Sequence, residues 1–251
     1  MDHYSSLKSL IDKDVECHYF DSLESTSSFL SGVPYSLITQ LCVTREQTQG
    51  KGQHGREWLS QKDGSILFSI RQIFGNDINL SGLSLVVGLA IIKSLEQEYK
   101  VDGLKIKWPN DVYFREAKLA GILLENKIQE GFQSVIIGVG LNYSLDQKMP
   151  CDIPWIDLSK IGSKLPDIQV LTALIINNIL SMSAQFKLNG LSGLLSQWDQ
   201  YDMLKGVKLK SIEFGRSFEG EVLGISDQGA LKVSTKNGVK ELYSSKNIEY
   251  I

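Results

Sequence analysis

Two clusters of residue types in this 251-residue chain are equipped for chemistry. The first is Gly50-Lys51-Gly52-Gln53-His54-Gly55, followed closely by Arg56 and Trp58. Its glycines let backbone N–H groups close on an anion, Lys51 and Arg56 add positive charge, and Trp58 offers a flat face suited to a purine. The run matches GxGxxG letter for letter. A dinucleotide fingerprint, however, needs a helix directly after the glycines to point its N-terminus at a pyrophosphate. Here REWLSQKDGS and another strand-like run follow, and no GK[ST] completes a P-loop. On its residues alone the stretch is either an anion cradle or a solvated surface loop.

The second cluster is Lys107-Trp108-Pro109-Asn110-Asp111, with Lys118 eleven positions after Lys107 at the head of KLAGILLE. Burying an unpaired ammonium is costly, so lysines bordering buried strands point to an anion. Two lysines and a carboxylate beside a strand turn suit a nucleoside triphosphate and its Mg²⁺. A surface hairpin with ordinary exposed lysines is the competing reading.

The elements that must position these residues follow from pattern. Apolar and β-branched content predicts strands at 37–44 and 65–71, with a polar glycine-rich loop, 46–64, between them. Helical spacing of Leu83, Val86, Val87, Ala90, Ile91 and Leu95 predicts a buried helix over 82–99, with Ser81 as its N-cap. Short strands at 104–108 and 112–114 flank the Pro-Asn-Asp turn, and buried strands are expected at 118–125 and 134–141. Amphipathic helices are expected at 170–188 and 191–204. From about 205 the chain turns to short strands with Gly- or Asn-marked turns, the pattern of a small β-barrel that leans on its neighbour. The expected class is α+β, with a mixed central sheet and helices over 1–203 and a small C-terminal barrel over 204–251.

Composition bounds the function. Hydrophobic residues are 42% and charged residues 22% of the chain, the balance of a globular protein. The formal net charge is −3, so bulk charge does not draw the chain to nucleic acid or to an anionic membrane. Cys17, Cys42 and Cys151 lie far apart and form no CxxC pair, which indicates neither a disulfide framework nor a zinc site. No apolar signal segment opens the chain, and its longest apolar run, Leu85 to Ile92, falls short of the ~20 residues of a membrane span. A cytoplasmic location is expected.

Four segments, in order, resemble the biotin–protein ligase family: Glu24-Ser25-Thr26-Ser27, GKGQHGREW, KWPNDVYF with KLAGILLE, and Ile137-Gly138-Val139-Gly140-Leu141-Asn142. The resemblance runs from about residue 15 to the end. It implies a synthetase-like catalytic sheet with an SH3-like barrel and a two-step reaction. ATP activates biotin to biotinyl-5′-AMP, and biotin then passes to a lysine of a biotin carboxyl carrier protein, such as that of acetyl-CoA carboxylase. It further implies Lys118, Lys107 and Asp111 as the catalytic set, Asp111 either holding Mg²⁺ or accepting the proton of the attacking lysine. Biotin is assigned to Ser25, Thr26, Ser27, Gln47, Gly50, Lys51, Gly52, Gln53, Lys118, Gly121, Gly138 and Gly140. The nucleotide is assigned to Lys51, Arg56, Trp58, Asn110 and Asn142.

Three positions depart from the family pattern. Lys51 and Gln53 stand where arginines are usual, so the loop keeps one charge without its bidentate fork and loses another. A weaker hold on the adenylate is expected. Ser27 stands where Asn is usual. With several glycines and no apolar anchor before Trp58, the loop is expected to be unformed without ligand and to close over biotin and adenylate. A lipoate or octanoate ligase of the same architecture is the nearest alternative. An RNA-binding module is disfavoured by the scarcity of stacking aromatics in the C-terminal strands. About 15 residues precede the first strand linked to these segments, too few for a DNA-binding domain, so no DNA or membrane partner is expected; a homodimer stays open.

Overall fold

The computed structural model describes residues 5–11, 14–146, 151, 153–162, 164–213 and 216–251. Seven strands build its main sheet: β1 (Val15–Phe20), β2 (Thr39–Thr44), β3 (Ser65–Gly75), β4 (Leu104–Lys107), β5 (Asp111–Phe114), β6 (Ala117–Gln129) and β7 (Phe132–Asn142). Their order across the sheet is β1-β2-β3-β7-β6-β5-β4. The β1–β2 pair is parallel, and the other five pairs are antiparallel. β6 and β7 form a long hairpin closed at Glu130-Gly131, where Gly131 adopts φ +85, a conformation open to glycine.

Five helices accompany the sheet: α1 (Ser5–Ser9), α2 (Thr26–Gly32), α3 (Leu83–Tyr99), α4 (Ile168–Asn189) and α5 (Leu195–Tyr201). α3 and α4 pack on one another, and α3 lies against β4, β5 and β6. The shared core runs from Phe68, Ile70 and Ile106 through Val87, Leu89 and Ile91 to Ile175, Ile179 and Phe186. By length and composition α4 is able to cross a membrane, a property hidden from a search for unbroken apolar runs by Thr172, Asn177 and Asn178. Its buried residues belong instead to this core. Cys17, Cys42 and Cys151 are all free thiols.

Five further strands, β8 (Lys208–Glu213), β9 (Arg216–Ile225), β10 (Leu231–Thr235), β11 (Gly238–Leu242) and β12 (Ile248–Tyr250), make an antiparallel SH3-like sheet in the order β11-β10-β9-β8-β12. Leu209, Val222, Leu231, Val233 and Leu242 fill it and join the main core. It docks beside the β4–β5 turn: Trp108 Nε1 donates to Gly229 O at 2.9 Å, and Asn79 Nδ2 donates to Gln228 Oε1 at 2.6 Å.

Three expectations need correction. Ser81 does not cap α3; the cap is Gly82 at φ +86, with no side-chain bond. That end is shaped by packing, since Gly229 lies so near that a Cβ there would stand 2.7 Å from Gly82. The expected helix over 191–204 is a 3₁₀ turn at Ser192–Leu194 followed by α5. It stops at Asp202, whose carboxylate takes bonds from Trp198 Nε1 and Leu204 N while Met203 N donates to Ile106 O. The helices α1 and α2 are too short to show a period and were not foreseen.

Candidate active site

The β4–β5 turn sets the charged groups by register. Lys107 is paired with Asp111, and Asp111 with Gly121. Asn110 clips the turn to β6: its Nδ2 donates to Ile122 O at 2.7 Å, and Ile122 N donates to Asn110 O at 2.9 Å. Lys118 and Gly121, three residues apart on one strand, would ordinarily face opposite sides. The register shifts between Val112 and Tyr113, so Tyr113 opposes Lys118 while Val112 opposes Ala120. This bulge at Leu119 turns Lys118 onto the face of Asp111 and Gly121. Lys118 Nζ then lies 2.8 Å from Asp111 Oδ1, with the two side chains about one-fifth exposed.

Lys107 is held differently. Its ammonium lies 4.8 Å from the Tyr250 ring centroid and 5.4 Å from that of Tyr113. Burial lowers its pKa, Asp111 raises it, and Lys118 lowers it. Burial pushes the Tyr113 and Tyr250 hydroxyls up to about 12.

A hydrogen-bonding wall stands at the other end. Ser25 caps α2, accepting from Ser28 N, and its hydroxyl lies 3.2 Å from that of Ser27. Gln47 Oε1 accepts from Thr26 N at 2.8 Å and from Thr26 Oγ1 at 3.1 Å. Thr26 has one hydroxyl proton, so Ser69, at 2.7 Å, donates to it, and a relay runs from Ser69 through Thr26 to Gln47.

The glycine loop is folded against the sheet. Arg45 clamps its base to Asp63 and Asp21, Ser60 bonds both the N–H and the carbonyl of Gln47, and the backbones of Lys51 and Glu57 form an antiparallel β-bridge. The missing apolar anchor is Trp58 itself, which turns inward. Its ring lies against β6 and β7: a Cβ on Gly140 would stand 2.4 Å from Trp58 Cε2, and one on Gly121 2.8 Å from Cζ3. Lys118 Nζ lies 5.5 Å from the Trp58 ring centroid, and the buried Trp58 Nε1 has no hydrogen-bond partner.

Two adjoining cavities result. The larger, about 380 Å³, is lined by Arg56, Glu57, Lys107, Tyr113, Asn142, Trp155 and Tyr250, among others. The smaller, about 50 Å³, is lined by Ser25, Thr26, Ser27, Gln47, Lys51, Ser69, Gly121, Gly138 and Gly140, among others. Gly52, Gln53, Trp58, Asn110, Asp111 and Lys118 line both. Gly50 lines neither; it backs the loop, where a Cβ would stand 2.4 Å from Trp58 O. Asn142 ties elements together, its Nδ2 donating to Ile156 O at 3.0 Å and Lys118 O at 3.3 Å. Gly138 is not forced by the protein's own packing, since a Cβ there would meet only Ser69 Oγ at 3.5 Å and Leu123 at 3.6 Å. Among the described residues no group of three or more His, Cys, Asp or Glu gathers to hold a metal, and the Asp111 carboxylate already faces Lys118. The residues do not make a standing metal site.

The family model "Biotin/lipoate A/B protein ligase family" matches residues 19–142, and "Biotin protein ligase C terminal domain" matches residues 205–245. The bifunctional ligase/repressor BirA of Bacillus subtilis (strain 168) is 30% identical over 240 residues, 90% of this chain and 72% of that protein. The chain belongs to the biotin/lipoate A/B protein ligase family. The bifunctional ligase/repressor BirA of Escherichia coli (strain K12) is also 30% identical, over 79% of this chain; the match spans 63% of that relative's length. Among solved structures, the biotin protein ligase from Aquifex aeolicus in complex with biotin and ATP superposes with a TM-score of 0.79 at 26% identity, covering 94% of this chain and 98% of that one.

Within this ligase-family fold, sequence reasoning missed Ser69, Tyr113, Trp155 and Tyr250 as lining residues. Ser69 was discoverable as the polar exception inside SILFSIR. Tyr250 carried no local signal, because only the docking of the barrel brings it to Lys107.

Proposed function

We propose that this chain activates biotin with ATP and transfers it to a lysine of a carrier protein. One observation supports this most: Lys118 stands on the wall common to two cavities, one lined with hydroxyls, an amide and glycines, the other with cations and aromatics. A carboxylate entering from one side and a phosphate from the other meet at its ammonium.

In the first step a biotin carboxylate oxygen bonds to the α-phosphorus, and the bond from that phosphorus to the bridging oxygen of pyrophosphate breaks. Two anions must approach, so fixed positive charge is the chief need. Lys118 bridges the carboxylate and α-phosphate, Lys107 faces the departing pyrophosphate, and Arg56 and Lys51 close over the nucleotide. In the second step the carrier's neutral amine attacks the acyl carbon and AMP leaves with the electron pair. Asp111 is the nearest carboxylate to take the amine's proton once Lys118 turns to the substrate.

Thr26, Gln47, Ser25, Ser27 and Ser69 supply bonds to the polar ring of biotin, and Gly121, Gly138 and Gly140 leave room for its apolar body. At about 50 Å³ the smaller cavity is far below the ~300 Å³ of ordinary ligand pockets, so Trp58 must swing off Gly140 to admit the ring. The displaced indole then faces the larger cavity, where it stacks on adenine. Asn142 has both amide protons engaged, so it offers Oδ1 to the adenine amino group. Magnesium would enter with ATP as part of the substrate and would neutralise phosphate charge, without a standing protein site. We divide the work at residues 203 and 204, with the barrel as an accessory to the catalytic sheet, and place the reaction in the cytoplasm.

The alternative, a lipoate or octanoate ligase, is disfavoured by the match of the C-terminal strands to the biotin ligase C-terminal model. Pyrophosphate exchange into ATP, run with biotin and with lipoate, is the test. Exchange driven by lipoate alone would overturn the biotin assignment.

A further inference from the structure

The barrel lends Ser245, Ile248 and Tyr250 to the wall of the larger cavity. β12 is fixed by its antiparallel register with β8, where Tyr250 opposes Leu209, and Ile251 N donates to Lys208 O. Tyr250 thereby overhangs the last residue of β4, its ring centroid 4.8 Å from Lys107 Nζ, while Tyr113 covers the ammonium from 5.4 Å. Among the described residues no carboxylate forms an ion pair with Lys107; two aromatic faces hold it. The next residue, Trp108, is gripped by the same barrel through Gly229 O. Lys107 lines the larger cavity alone, whereas Lys118 lines both.

We propose that Tyr250 is a positioning residue of the adenylation site, holding the Lys107 ammonium toward the β- and γ-phosphates of ATP. The proposal rests on the reading of the site as an adenylating one. An ammonium on a four-carbon stem has many rotamers, and the ring face confines it to those that point into the cavity. The attraction is electrostatic, and partial burial strengthens it. The barrel is then part of the pyrophosphate subsite.

The test uses the full chain and compares Tyr250→Ala with Tyr250→Phe. In biotin-dependent pyrophosphate exchange, Tyr250→Ala is expected to raise KM for ATP and for pyrophosphate roughly five- to thirtyfold, with KM for biotin moving less than about twofold. Tyr250→Phe keeps the ring face and is expected to restore both constants to within about twofold of the native values. Three results would overturn the proposal: unchanged phosphate constants in the alanine variant, a matching rise in KM for biotin, or a phenylalanine variant as impaired as the alanine one. The second would mean a displaced barrel, the third a role for the hydroxyl. Calorimetric titration of ATP without biotin separates this from the parent reading. A native chain with no biotin-dependent exchange ends that reading. Weaker ATP binding in Tyr250→Ala, restored in Tyr250→Phe, still upholds the contact with Lys107.

Discussion

Gly138 and Gly140 share one face of β7, two residues apart, yet an added methyl should act differently at each. At Gly140 the new Cβ would stand 2.4 Å from Trp58 Cε2 and 2.7 Å from both Cζ2 and Nε1, in the middle of the ring's present seat. The ring must leave. Exposing about half of an indole's roughly 200 Å² at about 25 cal/mol/Å² costs about 2.5 kcal/mol, inside the 1–3 kcal/mol typical of overpacking. Alanine's smaller unfolded-state entropy returns about 0.5 kcal/mol. The net loss of about 2 kcal/mol corresponds to a melting temperature lower by about 4–8 °C. At Gly138 the methyl meets its neighbours at 3.5 Å and beyond, and the backbone is one that alanine adopts freely. Gly138→Ala should therefore melt as the native protein does, or slightly higher. Both methyls occupy the proposed biotin slot, so both should raise KM for biotin about tenfold or more. Thermal unfolding with and without biotin, together with the exchange assay, reads both effects. Trp58→Ala provides the internal control: in that background Gly140→Ala should cost less than about 0.5 kcal/mol. An unchanged penalty there, or equal destabilisation by the two alanines, would refute the placement of the indole.

Three further outcomes are expected. Lys118→Met should lower kcat for adenylation by about 10²–10³, the loss typical of one donor aimed at developing charge, while stability changes by less than about 1 kcal/mol because the Asp111 pair is partly solvated; stopped-flow and thermal unfolding measure the two. Lys107 binds its proton less tightly in the folded chain than in the unfolded one, so between its lowered pKa and 10.5 the unfolded state carries more protons and stability contributed at this site rises with pH. In the same window the cation fades, so KM for ATP should climb at a lower pH than an ordinary lysine would give, and Lys107→Arg should abolish that climb. Gln53→Arg restores a charge beside both cavities and should slow release of biotinyl-AMP, measured by filter binding; an unchanged rate would detach Gln53 from adenylate retention.

Much of the site was legible because its residues lie on strands with plain signals. The Pro-Asn-Asp turn announced the strand–turn–strand unit that carries Lys107 and Asp111, and Gly121, Gly138 and Gly140 entered the biotin set through the family resemblance. What remained hidden depended on contacts between distant segments. The bulge that turns Lys118 toward Asp111 leaves no mark in the alternation of KLAGILLE. Trp58 was foreseen as an adenine platform from its flat ring, but its seat on Gly121 and Gly140 follows from two glycines more than 60 positions away. Ser81 was the obvious cap by type, and the packing of Gly229 overrode it.

The register explains why this chemistry sits on a sheet rather than among loops. Lys107 opposes Asp111, Asp111 opposes Gly121, Gly121 opposes Gly140, and Gly140 opposes Leu67. These are one row of partners running from β4 to β3, all with side chains on a single face. Neighbouring strands are about 4.8 Å apart, so Lys107 and Gly140, three strands distant, are separated by roughly 14 Å. The next row toward the interior pairs Leu123 with Gly138 and Gly138 with Ser69, adding the apolar floor and the hydroxyl relay. The β4 end of the first row is cationic, whereas Gly121 and Gly140, next along it, carry no side chains. In the proposed reading, a ligand pair with phosphates at one end and an apolar ring at the other lies across the strands, its reacting carboxylate at Lys118 between them. Ladder hydrogen bonds fix the backbone of this row, and Asp111, Tyr113 and Tyr250 hold the ammonium groups of Lys118 and Lys107 beside it. Trp58, on the loop, covers Gly121 and Gly140 in that row, which leaves the smaller cavity about 50 Å³ against about 380 Å³ for the larger.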